Sequence, residues 1–120
     1  MNARTFRIAT VLAALGASST AGAAQLTTPM LTVSGSDSVR CIATNVGSKP
    51  GAVMIVAKNQ FGGGISGGST DCPALGAGQS CVLTVQATAT CYFDVKGKIK
   101  ASINGFDGSR IFTSLPASKS

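Results

Sequence analysis

The residues of this chain best able to do chemistry are its four cysteines, Cys41, Cys72, Cys81 and Cys91, the middle two enclosing the stretch CPALGAGQSC. Such a set can supply a reactive thiol, a metal clip or covalent crosslinks. A thiol nucleophile needs a partner base, and the chain contains no histidine. Structural metal sites favour C-x-x-C pairs, and none of the four cysteines has that spacing. Neither a metal nor any other cofactor is implied. Crosslinks are the remaining chemistry, and they require an oxidising compartment.

The carboxylates are few. Asp37, Asp71, Asp94 and Asp107 stand alone, since there is no glutamate after the first residues or anywhere else. General acid/base catalysis needs titratable groups placed for the task. These four are scattered, and Asp37, Asp71 and Asp107 read as ordinary turn residues. A minimal hydrolase built on paired aspartates is the enzymatic reading; a non-enzymatic protein is the preferred one. Gly62-Gly63-Gly64-Ile65-Ser66-Gly67 matches G-x-G-x-x-G, but it opens no helix and carries no P-loop lysine. It reads as a flexible loop between sheets, at most a mobile binding loop, and not as a nucleotide site.

Charge gives one further candidate. The full chain carries a formal +6; without Arg4 and Arg7, eight basic residues face four acidic ones, a formal +4. Lys96, Lys98 and Lys100 share a parity and are expected on one outward face. They form a possible anion-binding row for glycan, lipopolysaccharide or nucleic acid. The preferred role is structural, because lysines along a strand keep an exposed edge from pairing. Tyr92 is the single tyrosine and there is no tryptophan, so no stacking platform favours nucleic acid.

The elements that must position these residues begin after a leader. Arg4 and Arg7 precede an apolar run from about Ile8 to Leu15, and small residues end in Ala21-Gly22-Ala23. That is the layout of a secretory signal peptide over residues 1–23, with cleavage expected after Ala23 and Ala24 as the next candidate. No other stretch is long enough to cross a bilayer as a helix. Residues 24–120 are expected as one small exported domain, periplasmic or secreted, that gains from crosslinks.

Short alternating runs between turn residues make that domain all-β. Taking odd-numbered positions as inward, strands are expected at Leu31–Val33, Val39–Ala43, 52–57, Cys81–Ala87, Cys91–Val95, Ile99–Ile103 and Arg110–Leu115. Residues 52–57, AVMIVA, are apolar on both parities and predict a central strand covered on both faces or nearly so. Asn104-Gly105-Phe106-Asp107-Gly108 supplies the turn of the last hairpin, and the final ASKS frays. Cys41 and Cys91 both face inward, as a bond between sheets requires, and Cys72 pairs with Cys81 across a Pro/Gly-rich turn. Pairing of Cys41 with Cys81 satisfies the same parity and stays open.

Leu75-Gly76-Ala77-Gly78-Gln79-Ser80-Cys81, an L-x-x-G-x-S-C entry into an alternating strand, resembles the turn-to-strand element of bacterial immunoglobulin-like sandwich modules. The run Cys41-Ile42-Ala43-Thr44-Asn45-Val46-Gly47, the later Cys91-Tyr92-Phe93, and the ending NGFDGSR with SLPAS are similar to small exported proteobacterial proteins of uncharacterised function. The resemblance implies a small immunoglobulin-like antiparallel β-sandwich of about seven strands, stapled by disulfides. It carries no functional residues with it, and the core tryptophan of antibody domains is absent. The functional expectation is a non-catalytic structural or interaction module whose partner is a protein or an envelope component. The alternative is a binder of anionic polymers or surfaces through the lysine row.

Overall fold

Alternation of side chains along an extended backbone puts every second residue on one face, and the second strand shows it plainly. From Ser38 to Asn45, Val39, Cys41, Ala43 and Asn45 are buried while their neighbours are half-exposed. The computed structural model describes residues 23–107 and 110–119. The expected signal peptide therefore lies outside the described residues except for Ala23, as does Gly108 of the expected hairpin turn.

Among the described residues nine strands follow in order: β1 (Ala23–Thr27), β2 (Ser38–Asn45), β3 (Gly51–Lys58), β4 (Gly64–Leu75), β5 (Ser80–Val85), β6 (Thr90–Lys96), β7 (Ile99–Phe106), β8 (Ile111–Pro116) and β9 (Ser118–Lys119). They form a five-stranded sheet, β4-β3-β6-β1-β9, and a four-stranded sheet, β5-β2-β7-β8. All the pairings are antiparallel. Among the described residues there is no helix. The inward rows meet in one core, in which Phe93, Ile55, Ile103, Val39 and Val53 are the largest fully buried apolar side chains.

Both disulfides cross that core. Cys41 on β2 bonds Cys91 on β6, and Cys72 on β4 bonds Cys81 on β5, with Cα atoms 5.8 and 6.2 Å apart. The shorter ring is nested within the longer one. Crosslinks of this kind form and persist in oxidising environments outside the cytosol.

Nine strands among the described residues replace the expected seven for identifiable reasons. Leu31–Val33 is no strand: Leu31 makes a single bridge to Ala89, and the Val33 amide bonds the Thr88 hydroxyl instead of a ladder partner. Ala23–Thr27 pairs along its whole length with β6. Ser118–Lys119, expected to fray, pairs with Leu26 and Thr27. From Gly64 on, the glycine-rich segment is strand β4 and not a loop, because it lies along β3 in register from Val53 to Val56, with irregularities between Gly51 and Val53 and, opposite Ile65–Gly68, between Val56 and Lys58. Gly68 permits that irregularity, since a Cβ there would stand 2.7 Å from the Ile65 carbonyl oxygen.

Two further expectations are corrected. β3 is central but covered on one side only, for Val53, Ile55 and Ala57 are buried while Met54 is 45% exposed. Asn104, Gly105 and Phe106 are strand residues, and the chain turns beyond them, where the Asp107 carboxylate accepts from the Arg110 amide at 3.1 Å. At Gly105 a Cβ would stand 2.6 Å from Cζ of the Phe112 ring, so a larger residue there has to displace that exposed ring.

Candidate functional site

The end of the sandwich where β2 stops is organised by one side chain. Asn45 is 1% exposed, and its Nδ2 donates to the carbonyl oxygens of Lys49 and Leu75, each at 2.8 Å. Its Oδ1 accepts from the Gly47 amide at 2.9 Å. On the main chain, Asn45 donates to Gln79 and accepts from Gly78, while the Val46 amide donates to the Lys98 carbonyl. The β2–β3 loop, the β4–β5 turn and the β6–β7 turn are thereby fixed to one another. A buried amide with all these bonds made is a rigid joint, since breaking any of them strands a polar group away from water.

Two glycines complete the joint. Gly97 adopts φ +101°, a conformation that suits glycine, and a Cβ on it would lie 3.4 Å from the Gly51 Cα. At Gly51 a Cβ would stand 2.6 Å from the Lys96 carbonyl oxygen, so no larger residue fits without moving backbone. Above this contact is a recess of about 580 Å³. Pro50, Ala52, Pro73 and Ala74 give it apolar walls, and Lys49, Lys96 and Lys98 line it as well. The Cys72–Cys81 bond immediately precedes Pro73 and so anchors that wall to the opposite sheet.

The expected row of Lys96, Lys98 and Lys100 is not a row. Lys96 is on β6 of the five-stranded sheet, in register with Ala52 and Ala23; Lys100 is on β7 of the other sheet, in register with Thr44. The chain crosses between sheets at Gly97 and Lys98, so outward at Lys96 and outward at Lys100 are opposite sides of the sandwich. Lys49, from the β2–β3 loop, takes the third place beside Lys96 and Lys98.

The aspartates separate likewise. Asp71 and Asp94 are both in register with Met54, one from each neighbouring strand, and share the outward face of the five-stranded sheet. Two strand spacings put their backbones roughly 9.5 Å apart. A shallow recess of about 630 Å³ contains both and adjoins the lysine-lined one through Ala52, Pro73 and Lys96. Asp71 is thus a strand residue and not a turn residue. Asp37 and Asp107 lie in other connections, and Asp107 pairs with the Arg110 guanidinium at 3.8 Å.

At the tip of the β3–β4 hairpin, Asn59 plays a part like that of Asn45. Its Oδ1 accepts from the amides of Phe61 and Gly63 at 2.9 and 3.0 Å, and Phe61 is left 85% exposed. Behind it the Lys58 ammonium lies 4.9 Å from the centre of the Tyr92 ring. Asn45, Lys49 and Asn59 are the residues sequence reasoning passed over. The signal was present in Asn45-Val46-Gly47-Ser48-Lys49-Pro50-Gly51 and Asn59-Gln60-Phe61-Gly62-Gly63, where an asparagine leads a glycine-bearing turn.

No family model, no curated protein and no solved structure matches this chain.

Proposed function

We propose that the chain is an exported, non-catalytic interaction module with an immunoglobulin-like sandwich, akin to small envelope proteins of proteobacteria. Its leader, Met1 to Ala23, is removed on export, and the mature chain works in the periplasm or outside the cell. The partner is a protein or an envelope component. The observation that carries the reading is the way both ends are built: buried or bridging asparagines lock the connecting loops of a doubly crosslinked frame, so exposed groups such as Phe61 and Lys49 are held on rigid backbone. Loops fixed on a rigid scaffold favour recognition, because less conformational entropy is lost on binding. The immunoglobulin-like part draws support from the pairing of β2 with β5 and of β3 with β6, together with a bond from the second strand to the sixth. In a departure from antibody domains, β7 pairs with β2 and not with β6.

The exported protein, immobilised as bait on an envelope extract, should retain one component saturably and unchanged. A variant carrying Asp71→Asn and Asp94→Asn should retain it equally. Failure to form any saturable complex would refute the reading. So would conversion of the component by the parent protein and not by the aspartate variant, since that is the signature of an enzyme.

A further inference from the structure

We infer that the recess beside Asn45 binds an amphipathic anion, an acidic head such as phosphate or carboxylate borne on a hydrocarbon body. This names a ligand class for the interaction module proposed above and rests on that reading. Three lysines reach the recess from three separate segments: Lys49 from the β2–β3 loop, Lys96 from β6 and Lys98 from the β6–β7 turn. No carboxylate is among the lining residues, and none of the three lysines is ion-paired among the described residues. Lys96 also lines the adjoining recess that holds Asp71 and Asp94, but none of the three lysines is within ion-pair distance of either; like charges so gathered repel one another, and a bound anion relieves that repulsion.

The rest of the lining has a different character. Pro50, Ala52, Pro73 and Ala74 offer hydrocarbon, and Ser48 adds a hydroxyl. A bare inorganic anion uses only the lysines; a head with an attached chain uses the apolar surface too. Nucleic acid fits poorly, because among the described residues no aromatic side chain lines the recess to stack on a base. At about 580 Å³ the space suits a single small chain and head. Its walls are set in advance by the Asn45 bonds, the Gly51–Gly97 contact and the Cys72–Cys81 crosslink.

The test is an amide NMR titration of the oxidised, exported protein with dodecyl phosphate below its micelle concentration. Inorganic phosphate and dodecyltrimethylammonium are titrated in parallel. Dodecyl phosphate should shift the amides of Gly47, Gly51 and Gly97 saturably and bind at least tenfold more tightly than inorganic phosphate, while the cationic amphiphile should leave them unmoved. The combined change Lys49→Gln, Lys96→Gln and Lys98→Gln should weaken dodecyl phosphate binding tenfold or more; Lys100→Gln, on the other sheet, should not. Equal binding of both amphiphiles, equal binding of inorganic phosphate, or indifference to the triple change would each overturn the proposal. The triple variant is also passed over the envelope extract. A parent protein that retains its envelope component but ignores dodecyl phosphate sinks the ligand class and leaves the interaction module standing.

Discussion

Removing each disulfide in turn, by paired cysteine-to-alanine changes, should expose very different contributions. Cys41 and Cys91 are 50 residues apart, and closing a ring of that size lowers the entropy of the unfolded chain by an amount worth about 4 kcal/mol. Cys72 and Cys81 are 9 apart, for which the same relation gives about 2.5 kcal/mol. Packing widens the gap. Cys41 and Cys91 are both fully buried, whereas Cys72 is only half-buried. Losing each buried sulfur adds about 1 kcal/mol, on the scale of one methylene withdrawn from the core.

The totals are then about 6 kcal/mol for the long bond and 3 to 4 kcal/mol for the short one, against a net stability of about 5–15 kcal/mol for a typical domain. For a domain of this size each kcal/mol moves the melting temperature by about 4–8 °C. Thermal unfolding followed by circular dichroism should show Cys72→Ala with Cys81→Ala melting cooperatively, roughly 12–30 °C below the parent. Cys41→Ala with Cys91→Ala should be unfolded or lack a cooperative transition at room temperature. Mass mapping of unreduced peptides checks the pairing beforehand. If the short-ring variant proved the less stable of the two, crosslinking of the unfolded chain would not be what these bonds supply.

Two other substitutions test the joints described above. Asn45→Ala leaves the Leu75 and Lys49 carbonyls and the Gly47 amide without their partner, and should lower stability by about 2–3 kcal/mol in a chemical melt; a loss below half a kcal/mol would mean the three connections hold without it. Gly105→Ala drives a methyl into the Phe112 ring and should cost about 1–2 kcal/mol, most of it removed when Phe112→Ala is added to the same chain. Additive effects of the two changes would show that the ring does not explain the glycine.

The inward parity was legible because one rule, alternation, holds wherever a strand has one face in the core. Val39, Cys41 and Ala43, then Cys81, Leu83 and Val85, then Cys91, Phe93 and Val95 all lie where odd numbering puts them. The same rule allowed Cys41 to meet either Cys81 or Cys91, and only the structure, with β6 opposite β2, decides for Cys91. β4 was illegible because Gly64–Leu75 is mostly glycine, serine, aspartate, proline and other poor strand formers, with Ile65 and Thr70 its two β-branched residues. Its extended form comes from its partner β3 and the Cys72 crosslink, which are tertiary facts. The lysine error has another cause. Parity tells inward from outward, but it does not say which sheet a strand joins, and between Lys96 and Ile99 the chain changes sheets. The recess was invisible for the same reason, since Lys49 meets Lys96 and Lys98 only after that crossing.

The nesting of one disulfide ring inside the other bears on how the molecule is made. A chain entering an oxidising compartment N-terminus first presents Cys41, then Cys72, then Cys81, and Cys91 last. An oxidant that joins cysteines in order of arrival would link Cys41 to Cys72, a bond absent from the finished fold. That bond must be undone by attack of another thiolate before β2 can be tied to β6. If Cys72 instead finds Cys81 first, as the short intervening segment favours, Cys41 waits reduced for the sixth strand and no rearrangement is needed. The turn Pro73–Ser80 thus decides, during biogenesis, whether maturation runs straight to the native bonds or has to pass through isomerisation.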